Sequence, residues 1–271
     1  MHARWDELAP GVQVGRFAFL DQSIGLVVGD GASAIVDTRG SKRFGVELAD
    51  DVRALGVPPV EVVVDTHHHW DHAYGNAAFP GAEIWGHARV EAGFRREAAR
   101  HQALLEEYPE MVDQWDDLVV VPPTRVFEET AYVDVGGRRL ELRHLGRGHT
   151  DDDVVVIDRE SGVAFAGDLV ENGAPPYFGD GYPLDWPETV ARLLDHLRET
   201  VVPGHGEPAG RSFVEDQLTA LLSIADLARR VARGHLDPDT AVRESPFGDC
   251  EATRVAVARG VAQIRGELDR G

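Results

Sequence analysis

The fold is decided by Val60-Glu61-Val62-Val63-Val64-Asp65-Thr66-His67-His68-His69-Trp70-Asp71-His72, an apolar run that ends in a histidine cluster. Val60 to Val64 has the length and β-branched composition of a buried strand. Four of the chain's 12 histidines then fall within six residues, beside Asp71. Neutral imidazole and carboxylate oxygen are good ligands for a borderline metal such as zinc. In a loop leaving a strand end, His67 and His69 can turn to one side while His68 faces away. Asp71 and His72 then reach a second position nearby, so one short segment can supply ligands to each of two metals. A solvated loop is the plain alternative, but this cluster is internal and follows a buried strand.

Three further positions share the setting of a polar ligand at the end of an expected strand. His149 lies in Gly148-His149-Thr150, after a strand ending at Leu145. Asp168 follows Val163 to Ala166, and His205 follows Val201-Val202 within Pro203-Gly204-His205-Gly206. Glycine beside each ligand lets the backbone approach closely without a Cβ clash. Taken singly these are weak signals, since a lone histidine at a strand end is more often a surface residue. Together and in this order they are strong.

The rest of the chain alternates strands with helices, the pattern of an α/β protein. Leu26 to Val28, a Gly29-Asp30-Gly31 turn and Ala34 to Asp37 read as a hairpin, followed by a helix around Phe44 to Leu55. From His87 to Leu118 the pattern is helical and highly charged, with Val90, Phe94, His101, Leu104, Leu105 and Tyr108 roughly on one face. Strands are expected at Ala131 to Val135, Leu140 to Leu145, Val154 to Ile157 and Val163 to Ala166. Asp185 with Glu188, and Ser212 with Glu215, have the spacing of capping boxes ahead of apolar stripes. A last helix carries Val257, Val261, Ile264 and Leu268.

The ordered set His-x-His-x-Asp-His, Gly-His-Thr, Gly-Asp and Gly-His-Gly resembles the metallo-β-lactamase superfamily over roughly residues 12 to 210. That resemblance implies an αββα sandwich with metals at one edge between two central sheets. With no low-complexity linker and no short repeat, a single domain over 1–271 is expected, with a helical insertion near 87–118 and C-terminal helices at 211–268. Carried over position by position, His67, His69 and His149 would bind the first metal and Asp71, His72 and His205 the second. Asp168 would bridge them. The implied cofactors are two metal ions, zinc first, with iron or manganese as the other candidates. Asp71 and Asp168 are the catalytic candidates: Asp168 fixes the metal separation and Asp71 orients water.

A bridging aspartate resembles the glyoxalase II, lactonase and thioesterase branch, whereas zinc β-lactamases do not usually carry that carboxylate. The expected reaction is attack on an ester, thioester or lactone carbonyl by a metal-bridging hydroxide. An iron-dependent persulfide dioxygenase-like enzyme, a zinc β-lactamase and a phosphodiesterase are the alternatives. Asp152, where relatives often have glycine, is a departure from the pattern.

Around these residues the reading thins. Asp65 is a candidate to accept a hydrogen bond from a ligand imidazole. His68, His87, His101, His144, His196 and His235 read as surface or packing residues. Trp70, Tyr177, Phe178, Tyr182 and Trp186 are candidates to line a pocket, and Glu171 and Asn172 to contact substrate.

The totals narrow the partners. There are 47 acidic residues against 27 basic ones, a formal net charge of −20, and that field opposes a phosphate backbone. A small-molecule substrate is expected rather than nucleic acid. Cys250 is the only cysteine, which rules out an intrachain disulfide and a cysteine metal site. No apolar stretch has the length of a bilayer span, and the polar first ten residues lack a signal-peptide core, so no membrane and a cytoplasmic location are the expectations. Oligomeric state has no signature in the sequence.

Overall fold

The apolar run Val60 to Val64 is a strand with its neighbours on both sides, and the sheet grows from it. The computed structural model describes residues 2–268. In the first half come β1 (Arg4–Ala9), β2 (Val12–Phe17), β3 (Gln22–Val28), β4 (Ser33–Val36), helix α1 (Lys42–Ala54), β5 (Val60–Val64), the single turn α2 (Trp70–Ala73) and β6 (Glu83–His87). Helices α3 (Val90–Ala99) and α4 (His101–Glu107) lead to β7 (Arg125–Phe127). The second half contains β8 (Thr130–Val135), β9 (Arg138–Arg143), β10 (Val155–Asp158), β11 (Val163–Glu171), α5 (Trp186–His196), β12 (Thr200–His205), β13 (Ala209–Gly210), α6 (Arg211–Ala232), α7 (Pro238–Glu244) and α8 (Glu251–Ile264).

The strands run in the order β7-β6-β5-β4-β3-β12-β11-β10-β9-β8, with β2 and β1 branching from β3. The two halves of this path join through a pairing of Gln22 with His205. They face each other across a shared core that contains Val27, Val36 and Val64 from one side and Val156, Phe165 and Val202 from the other. Alternation along each strand does the sorting, because successive side chains point to opposite faces. In β5, Val62 and Val64 enter that central core while Val63 packs outward with Leu48 and Val52 of α1. In β11, Val163 and Phe165 point inward while Ala164 and Ala166 pack with Val190 and Leu193 of α5 and Leu221 of α6. Helix, sheet, sheet, helix is the outcome: an αββα sandwich.

Several local expectations change. His87 ends a strand instead of starting a helix, and the charged helical stretch breaks at Arg100 into α3 and α4. The strand after Gly137 stops at Arg143, not Leu145. Neither expected capping box forms. Asp185 is in a helical conformation and its carboxylate accepts from Arg147 Nε instead, and α6 starts from Gly210 with no side-chain cap. Ser212 and Glu215 both lie inside α6, where Arg211 Nε donates to Glu215. Helix α8 ends at Ile264, short of Leu268, and buries Thr253, Ala256, Val257 and Gly260 while Ile264 is exposed.

Candidate metal centre

The strand ends deliver the chemistry to one edge of the sandwich. β5 stops at Val64, and the loop behind it carries His67, His68 and His69 into the α2 turn with Asp71 and His72. Asp168 lies inside the long strand β11, where the sequence suggests a position just after a strand, and His205 is the last residue of β12. β11 and β12 are parallel neighbours, so their polar residues emerge at the same edge. Gly204 is required there: a Cβ at that position would stand 1.9 Å from Asp168 Oδ1 and 3.0 Å from His72 Cε1.

All seven expected ligands converge, in two groups. His67, His69, His149 and Asp168 each offer an atom within 4.8 Å of every other, and so do Asp71, His72 and His205. In the first group His69 Nδ1 lies 3.1 Å from His67 Nε2 and 2.9 Å from His149 Nε2. In the second, His72 Nε2 lies 3.2 Å from His205 Nε2, and Asp71 Oδ2 is 3.2 Å from the latter. Asp168 reaches both: Oδ2 is 3.4 Å from His149 Nε2 and 3.4 Å from His205 Nε2, and Oδ1 is 3.3 Å from His72 Nε2.

The far ring nitrogens fix the orientation of these imidazoles, as metal ligands usually require. His72 Nδ1 is 2.8 Å from Asp37 Oδ2, His205 Nδ1 is 2.7 Å from the Leu20 carbonyl, and His149 Nδ1 is 3.1 Å from the Tyr177 carbonyl. The ring of His67 faces Thr66 Oγ1 at 3.1 Å. Asp65, the expected partner, plays no such part: its carboxylate accepts from Asn76 Nδ2 at 2.8 Å. Asp37 is the residue the sequence reading missed. Its signal is faint, a carboxylate ending the β4 run Ala-Ile-Val-Asp just as Asp65 ends β5.

The donor set fits a divalent cation. Imidazole lone pairs facing one another at about 3 Å repel unless a proton or a cation stands between them, and tetrahedral ligands about 2.1 Å from zinc stand roughly 3.4 Å apart. Asp168 Oδ1 is buried with no hydrogen-bond partner, which is costly for a carboxylate oxygen unless something else satisfies it. Burial keeps His67 well below the ordinary imidazole range and takes His149 down to about 3, so both present neutral nitrogen. Burial opposes charge on His72 and His205 too, but the carboxylates of Asp168 and Asp71 outweigh it and raise both. The second group therefore sits in the stronger negative field, one that favours positive charge of any kind.

A cavity of about 310 Å³ opens onto this centre. Trp70 and Tyr177 line it as expected, with Leu104 and Tyr108 adding apolar wall and Glu171 also reaching it. Phe178 and Trp186 are core residues with no exposure, Tyr182 lies in a different depression, and Asn172 turns away to donate to the Glu207 carbonyl. Arg100, at the break between α3 and α4, spans the cavity wall by donating to Asp180 Oδ1 at 2.8 Å and Tyr177 Oη at 3.2 Å. His68 is fully buried, not on the surface, and its Nδ1 lies 2.6 Å from Asp152 Oδ1. Asp152, the departure from the family pattern, thus has a definite partner. Its negative charge and that of Asp180 overcome burial and carry the His68 imidazole up to about 10. His87 and His144 stack on each other at 4.0 Å, and His101 packs against Trp115.

Residues 18–205 match the family model of the metallo-beta-lactamase superfamily, and that stretch holds every one of the seven converging side chains. The chain belongs to the metallo-beta-lactamase superfamily. Among its relatives, the acyl-coenzyme A thioesterase MBLAC2 of Gallus gallus is 26% identical over 231 residues, covering 78% of this chain and 81% of the relative. The metallo-beta-lactamase type 2 of Bacillus cereus is 24% identical over 192 residues, covering 69% of this chain and 68% of the relative. These relatives place the chain among the hydrolases of the superfamily. The solved metallo-beta-lactamase FIM-1 from Pseudomonas aeruginosa, in its mono-zinc form, shares the fold with a TM-score of 0.66 at 19% identity, over 82% of this chain and 96% of that one. Among the described residues no helix is long and apolar enough to cross a membrane.

Proposed function

We propose that this protein is a two-metal hydrolase of small acyl compounds, cleaving an ester, thioester or lactone at its carbonyl. The observation that carries the reading is the position of Asp168, one carboxylate within 3.4 Å of histidines in both ligand groups, with Oδ1 otherwise unpartnered. His67, His69 and His149 would hold one ion, Asp71, His72 and His205 the other, and Asp168 would be shared. Bound there, divalent metals supply Lewis-acid polarisation of a carbonyl and bring the pKa of water down to about 7.

The chain's own residues account for the rest. Asp168 sets how far apart the two groups stand, and Asp71, lining the cavity beside His205, is placed to orient water for attack. Asp37 and the Leu20 and Tyr177 carbonyls hold the imidazoles in register, so little reorganisation is left to the reaction. Trp70, Leu104, Tyr108 and Tyr177 offer an apolar wall for an acyl chain. No serine or cysteine nucleophile is needed. A formal charge of −20 disfavours a polynucleotide substrate.

The thioesterase name of the Gallus gallus relative supports carbonyl chemistry. A second reading, β-lactam hydrolysis, is favoured by the name of the Bacillus cereus relative. A parallel panel of ester, thioester, lactone, β-lactam, phosphodiester and persulfide substrates, with oxygen uptake followed, tests both. Turnover of the acyl compounds, lost with a chelator and regained with zinc or manganese, is the expected result. Turnover of the β-lactam alone selects the second reading, and oxygen-consuming turnover of the persulfide alone removes both.

A further inference from the structure

We propose that His68, Glu97 and Asp180 form a separate cation site beside the one around Asp168, suited to a divalent transition-metal ion. The site repeats the construction already seen at His72. There, Asp37 holds Nδ1 at 2.8 Å and leaves Nε2 to face the ligand group. At His68, Asp152 Oδ1 holds Nδ1 at 2.6 Å, and Nε2 faces a second convergence of donors. His68, His69, Glu97 and Asp180 each offer a ligand atom within 4.8 Å of every other.

Two atoms in this group have no hydrogen-bond partner although fully buried: His68 Nε2 and Glu97 Oε2. The same signature marks Asp168 Oδ1 in the first centre. Asp180 Oδ2 is 3.6 Å from His68 Nε2 and 3.4 Å from His69 Nε2, close to the spacing of donors around one ion. His69 Nδ1 faces the first centre while Nε2 faces this one, so its ring stands between the two.

The donors are held from behind. Glu97 Oε1 accepts from Trp70 N at 3.0 Å, and Asp180 Oδ1 accepts from Arg100 Nη1 at 2.8 Å, which leaves the other oxygen of each carboxylate for the group. Helix α3 is pressed against the His68 ring at Gly93, where a Cβ would fall 2.2 Å from His68 Cγ. Three carboxylates, Asp152, Glu97 and Asp180, surround the His68 imidazole, with Arg100 held to Asp180, and an ion taken up at Nε2 would replace any proton there, as metal binding to a ligand imidazole requires. One imidazole with two carboxylates suits zinc or manganese better than a soft metal. An ion there would tie α3 to the loop before α5, the two segments that supply Glu97, Arg100 and Tyr177 to the cavity wall.

The test is zinc binding by the full chain. Stripped wild type, Glu97→Gln and Asp180→Asn are dialysed against excess zinc and their metal content measured, and zinc-edge anomalous maps are collected on wild-type crystals. The expected result is one zinc fewer per chain in each variant than in wild type, with an anomalous peak between His68 and Asp180. Equal zinc content in wild type and a folded Glu97→Gln overturns the proposal. So does a map without that peak, even if both variants fail to fold.

Discussion

Asp37 Oδ2 lies 2.8 Å from His72 Nδ1 and also accepts from Thr66 Oγ1 at 2.9 Å, while Oδ1 accepts from Thr66 N at 2.8 Å. One carboxylate therefore fixes both the entry to the histidine loop and a ring within it. Asp37 does this from a left-handed backbone conformation, φ 68°, which a non-glycine residue adopts at a cost. Asp37→Asn is expected to weaken zinc binding by roughly 10- to 100-fold, the usual effect of losing such a partner. Competition with a chromophoric chelator measures it, and unchanged affinity would remove Asp37 from the account.

Asp168→Ala should lower metal content and hydrolysis together, with activity falling by roughly 100-fold or more, because a shared carboxylate serves both ligand groups. Elemental analysis and a rate on the same sample check it. A variant with full metal content and low activity would mean that Asp168 acts on substrate rather than on metal.

His68→Ala should destabilise the fold by about 3 kcal/mol, since it leaves the buried Asp152 carboxylate without its partner. Asp152→Asn in the same chain should return part of the loss. Urea unfolding at neutral pH gives both numbers, and a neutral effect of His68→Ala would contradict the ion pair.

His87 provides a pH signature away from the candidate metal centre. Burial, and then the stacked His144, take its imidazole down to about 4. The unfolded chain binds this proton near pH 6.5 and the folded chain only near 4, so the contribution to stability is full above 6.5 and falls as pH drops toward 4. Compared with His87→Gln, wild type should lose on the order of 1–2 kcal/mol across that window. Parallel denaturation curves at pH 4.5, 5.5 and 7 test the slope, and parallel lines for the two proteins would refute it.

Much of this architecture is legible before any coordinates, and the reason is periodicity. β5 reads cleanly because Val62, Val63 and Val64 are buried on both faces, and its end delivers candidate ligands whose spacing is chemically constrained. The candidate ligands His149, Asp168 and His205 are also local events, each beside a small residue. What does not read is long-range pairing. Asp37 and Asp65 are both aspartates at the ends of neighbouring strands, and nothing local tells which one meets His72. His68 looks like a loop residue until α3 closes over it and Asp152 reaches it from 84 positions away. The Asp185 capping box fails for the same reason, since Arg147 claims its carboxylate, whereas the Ser212 box fails locally because α6 already begins at Arg211.

The central claim is that Asp168 joins two metal positions, and the most direct test is a zinc-edge anomalous map of the zinc-loaded full chain. The account predicts one peak among His67, His69, His149 and Asp168, and another among Asp71, His72, His205 and Asp168. A single peak in that region, or two peaks with Asp168 bound to neither, would contradict it.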